Sequence, residues 1–115
     1  MKTSSLTQDI EYSSEKTPQV KLLLDSDTGK EIRIVFKAGQ VMKEHKTPFP
    51  IVVEIFEGSI DFGVNGENHQ LKKGDLVALE GNIPHNLKAM GDSIVRLSLN
   101  KADTAQRVED VAKNS

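Results

Sequence analysis

Short runs of alternating apolar and polar residues, cut apart by Gly, Asn and Asp and never by a long helical pattern, fill this chain from Val20 to Leu99. Period-two alternation puts one side of a strand in a core and leaves the other in solvent. Ile32, Ile34 and Phe36 alternate in this way with Arg33, Val35 and Lys37, as in a half-buried strand, until Gly39 breaks the run. Val20–Leu24 reads as a strand closed by the turn cluster Asp25-Ser-Asp-Thr-Gly29, and Ile51–Phe56 is the most β-prone stretch. Ile60–Val64 leads into Asn65-Gly66, two residues that accept the positive φ of a type I′ turn. A two-residue loop there sets Val64 against Glu67, Phe62 against His69 and Ile60 against Leu71. Lys73-Gly74-Asp75 turns the chain again, Leu76–Leu79 is a further strand, and Asp92–Leu99 closes the series. Roughly seven to nine short strands without intervening helices predict an all-β sandwich or barrel.

The two ends differ from this pattern. Residues 1–18 form a polar leader in which Ile10 and Tyr12 are the candidate anchors. Residues 101–115 read as a tail with a short helix capped by Asp103, with Gln106 at the capping-box position and Ala105, Val108 and Val111 in one stripe. So short a helix needs a surface to pack on, in its own barrel or in a second subunit. Residues 19–100 remain for one barrel domain, which suits a chain of 115 residues with 37% hydrophobic content.

Composition removes several classes of function. With 15 basic and 17 acidic residues interspersed and a net charge of −2, no basic excess exists to neutralise nucleic-acid phosphates. The absence of cysteine excludes disulfides, thiolate zinc sites and cysteine nucleophiles, and suits a reducing cytoplasm. Met1–Asp9 carries no apolar run of the signal-peptide kind, and nothing approaches the roughly 18 apolar residues of a membrane span. The expectation is a cytoplasmic protein without nucleic-acid or membrane partners.

Two glycine-framed segments each deliver a histidine: Gly39 to Gly58, containing His45, and Gly74 to His85. The first holds Gly39, His45, Thr47, Ile51 and Gly58 at set intervals; the second holds Gly74, Glu80, Asn82, His85 and Ala89. Glu57-Gly58, Leu71-Lys-Lys-Gly74-Asp75 and Ile83-Pro84-His85 accompany them. Together these stretches resemble the two signature motifs of the cupin superfamily, over about residues 30–100. The resemblance implies a double-stranded β-helix, a jelly-roll barrel that is commonly homodimeric. Small single-domain cupins with one histidine in the first motif and a Pro-containing loop, here Pro48-Phe49-Pro50, are similar to this chain. In metal-binding cupins three histidines and a glutamate point into the barrel and hold iron, manganese, nickel or zinc. Here His45 and His85 match two of those positions, while Thr47 stands at the second histidine and Ile51 at the glutamate.

Thr47 is a poor ligand while its hydroxyl stays protonated, and Ile51 has no donor at all. A divalent metal is therefore the cofactor that the resemblance raises and that this donor set, His45 with His85, does not favour. Glu54 lies in the right strand but has the opposite parity to Ile51, which directs it outward unless a bulge intervenes. His69, opposite Phe62, reads as a packing histidine. Three functions are consistent with these residues. The first is a barrel that binds a small molecule at a mouth lined by His45, Thr47, Phe49, Ile51 and His85, with Met42 or Met90. The second is a cupin enzyme, an oxygenase or isomerase, using His45 and His85 with a third donor, or a histidine base oriented by Glu44 or Glu80. The third is a homodimer with a filled barrel in a structural or sensing role.

Overall fold

A computed structural model describes residues 1–13 and 16–115, so Ser14 and Glu15 of the leader lie outside the described residues. In chain order the elements are β1 (Gln19–Ser26), β2 (Gly29–Phe36), β3 (Val41–His45), β4 (Ile51–Glu57), β5 (Ser59–Val64), β6 (Glu67–Lys72), β7 (Leu76–Leu79), β8 (His85–Ala89), β9 (Ser93–Leu99) and α1 (Ala105–Lys113). Asn65 and Gly66 carry φ angles of 53° and 76°, as a tight turn with two left-handed residues requires. β5 and β6 therefore pair in the expected register, with Val64 facing Glu67, Phe62 facing His69 and Ile60 facing Leu71.

The strands form two antiparallel sheets, ordered β1-β2-β9-β4-β7 and β3-β8-β5-β6. Period-two alternation turns Ile32, Ile34 and Phe36 of β2, Val53 and Ile55 of β4, and Val95 and Leu97 of β9 inward from the first sheet. Ile60 and Phe62 of β5 meet them from the second, with Leu87 and Ala89 of β8. The result is an all-β jelly-roll barrel with one C-terminal helix. α1 packs against β1 and β3 and buries Val108 and Ala112. Among the described residues no helix is long and apolar enough to cross a membrane.

Three readings of the sequence need correction. β2 is buried on both faces rather than one: Arg33 is 4% exposed and Val35 1%. At Arg33 the cover is part of the leader, because its guanidinium donates to the backbone carbonyls of Ser5, Gln8 and Asp9 and holds that stretch against the outer face. His69 does not pack in the core; β6 is an edge strand, and the ring lies in the open 3.8 Å from Glu67. The cap of α1 is Thr104, whose hydroxyl accepts from the Arg107 N–H at 3.2 Å, because the Asp103 carboxylate is engaged elsewhere.

Candidate functional site

β3 owes its inward histidine to an irregularity. Met42 pairs with Leu87 and His45 with His85, so three steps along β3 answer two along β8. The extra residue makes a bulge, which reverses parity and lets Met42 and His45 face the same interior. The His45 and His85 rings meet edge to face with centroids 4.3 Å apart, and Phe62 stacks on His85 at 5.7 Å and 10°.

Each imidazole has one nitrogen fixed by its own strand end. His45 Nδ1 lies 2.6 Å from the Lys43 carbonyl and His85 Nδ1 lies 2.9 Å from the Ile83 carbonyl. A carbonyl only accepts, so in both rings Nδ1 carries the hydrogen and Nε2 presents a bare lone pair. Burial favours the neutral form of both rings. Burial lowers the His45 pKa to about 4, with the neighbouring His85 and Arg107 adding to the effect against the Lys43 hydrogen bond. Burial and then Arg107 lower that of His85, against the hydrogen bond to Ile83.

The two rings border an apolar cavity of only about 20 Å³, walled by Ile34, Met42, Ile51, Val53 and Leu87 and closed by Val108 and Arg107 of α1. That is room for about one water molecule. On the far side of His45 and Arg107 an open cleft of about 560 Å³ runs between β3 and α1. His45 and Arg107 thus form a partition between an apolar interior and a cleft of ligand-binding size.

Of the residues expected at the mouth, the structure brings His45, Ile51, His85 and Met42 together around the cavity. Thr47 is buried but committed away from the cavity. Its hydroxyl donates to Asp103 Oδ2 at 2.7 Å, and its carbonyl accepts from the Asn82 N–H at 2.7 Å. Phe49 is half-buried outside the cavity, its N–H donating to Thr47 Oγ1, and Met90 is exposed. Glu54 points outward, 3.7 Å from Arg96, which also binds Glu31. Glu44 borders the cleft and Glu80 is exposed; in both imidazoles the Nδ1 partner is a backbone carbonyl rather than a carboxylate.

The residues missed in the sequence are Asp103 and Arg107 as a pair. Arg107 donates through Nε to Asp103 Oδ1 at 2.7 Å and through Nη2 to Oδ2 at 2.8 Å, a two-pronged match of guanidinium and carboxylate. Burial pushes the Asp103 pKa up, but the hydrogen bonds from Arg107, Thr47 and the Thr104 N–H prevail and hold it below the ordinary value. The i, i+4 spacing of Asp103 and Arg107 was the available signal.

This donor set does not fit a metal ion. Among the described residues no three His, Asp or Glu side chains converge. The Thr47 hydroxyl is committed as a donor, Ile51 offers nothing, and Arg107 borders the same cavity as both imidazoles. Weak two-point ligation next to a fixed positive charge is a poor cation site.

A two-sheet antiparallel barrel with inward histidines from its third and eighth strands defines a jelly-roll barrel of the double-stranded β-helix type. The cupin domain model matches residues 32–100, and the chain belongs to that family. An RmlC-like cupin from Desulfovibrio desulfuricans is similar in structure, with TM-score 0.79 and 21% identity over 88% of this chain and 97% of that one. So is an uncharacterised conserved protein with a double-stranded β-helix domain from Klebsiella pneumoniae, with TM-score 0.75 and 17% identity over 87% and 90%. A conserved protein of unknown function from Streptococcus pyogenes superposes with TM-score 0.73 and 20% identity over 87% of each chain. At these identities the likeness speaks to the fold. No curated protein matches the chain in sequence.

Proposed function

We propose that the protein binds a small, mainly apolar molecule in the barrel, without a metal, and that α1 opens to admit it. One observation carries this reading: His45 and His85 each spend Nδ1–H on a backbone carbonyl and keep Nε2 free beside an apolar cavity. Two neutral acceptors in an apolar wall select a ligand with a hydroxyl or N–H to donate. The cavity of about 20 Å³ is too small for such a molecule, so entry requires displacement of Val108 and Arg107, which close it.

Phenol and toluene, alike in shape and different in one hydroxyl, make the test. Phenol is expected to shift the Nε2 resonances of His45 and His85 and to raise the melting temperature, toluene to do neither, and His85→Ala to abolish the response. Silence of both probes at millimolar concentration would overturn this reading. It would favour a second one, a barrel filled by its own side chains, to which the small cavity already lends weight. An oxygenase or isomerase draws no support from this donor set.

We also propose that two copies associate through the outer face of the five-stranded sheet. There Leu76 is 67% exposed and Val52 42%, on the adjacent strands β7 and β4.

A further inference from the structure

Arg107, with His45, stands where the interior and the cleft meet. It borders the same cavity as His45 and His85, and its charge disfavours protonation of both rings. It is held there by a relay: the Thr47 hydroxyl fixes Asp103, and Asp103 fixes the guanidinium at two points. Thr47 occupies the position that matches the second histidine of the first motif. On that side of the barrel the chain therefore offers no lone pair to a metal and instead anchors a cation of its own.

We infer that the Arg107 guanidinium is the resident cation of this barrel, positioned by Thr47 and Asp103 so that it keeps divalent metal ions off His45 and His85. The two imidazoles are otherwise suited to a metal. Their Nε2 lone pairs are bare, their rings are 4.3 Å apart, and each Nδ1–H is oriented by a carbonyl, as metal-binding histidines are. What opposes the ion is charge. A guanidinium does not lose its proton in the range where proteins are stable, so its repulsion persists at any working pH. Asp103 offsets part of it while contributing no oxygen that is free of Thr47 or Arg107. Tight nickel or zinc binding by the wild type would overturn both this inference and metal-free ligand binding, whereas equal, weak affinities of wild type and Arg107→Gln overturn this inference alone.

Calorimetric titration of the full chain with nickel and zinc chloride tests it. The wild type is expected to show weak or no binding and Arg107→Gln to bind at least tenfold more tightly. Arg107→Lys, which keeps the charge, is expected to behave as the wild type. His45→Ala added to Arg107→Gln is expected to remove the gain. Equal affinities of wild type and Arg107→Gln would overturn the inference, as would a gain in Arg107→Lys matching that of Arg107→Gln. Should Arg107→Gln fail to fold by circular dichroism, Arg107→Met, which keeps the stem against the barrel, takes its place in the titration.

Discussion

At the scale of single residues, the histidines tie the site to pH. His45 titrates near 6.5 in an unfolded chain and at about 4 in the folded one, because burial disfavours its charged form. Between those values the unfolded state holds the extra proton. Stability is therefore full above about pH 6.5 and declines as pH falls toward 4, with His85 adding in the same direction. The informative quantity is a difference between proteins. Denaturant unfolding followed from pH 7 to pH 4 is expected to show a steeper loss for the wild type than for His45→Gln. Parallel curves would mean that the ring reaches solvent freely.

At the scale of elements, α1 is the part that tertiary contacts must hold. Nine residues are too few for a helix to persist alone in water. Two attachments compensate: Val108 and Ala112 buried against the barrel, and the chain from Thr47 through Asp103 to Arg107. Thr47→Val keeps the shape of the side chain and removes its hydroxyl. A hydrogen bond to a charged acceptor contributes about 1.5–3 kcal/mol, so α1 should open at least tenfold more often. Hydrogen exchange is the measurement, with faster exchange expected at Val108–Ala112 and little change in β2 and β9. Uniform acceleration across the barrel would instead make Thr47 a residue of global stability, with no special claim on the helix.

At the scale of the whole molecule, the sequence yielded most readily what rests on local chemistry. Asn65-Gly66 set a register because two left-handed residues leave one hairpin open to the chain, and Ile60 and Phe62 lined the core because strand parity fixes sides. Arg33 and Asp103 were misjudged because their partners lie far along the chain, in the leader at Ser5 and Gln8 and in the first motif at Thr47. Within the site, motif spacing pointed to His45 and His85, but no pattern warned that Arg107 of the tail would close the cavity between them. The surface left over after that closure is the basis of the last prediction. Val52 pairs with Ala78 and Glu54 with Leu76, so Val52, Ala78 and Leu76 make an apolar strip on the outer face, with the Glu54–Arg96 pair beside it. β7 ends its sheet and leaves that strip at an open margin. Burying a leucine or valine side chain is worth about 1.5–3 kcal/mol, and a two-fold interface uses each residue twice. A charge placed in the centre of such a strip opposes itself across the axis. Light scattering coupled to size exclusion is expected to give a dimer for the wild type and a monomer for Leu76→Asp, with the barrel's circular dichroism unchanged. A wild type that is monomeric at tens of micromolar would remove this face as a site of self-association.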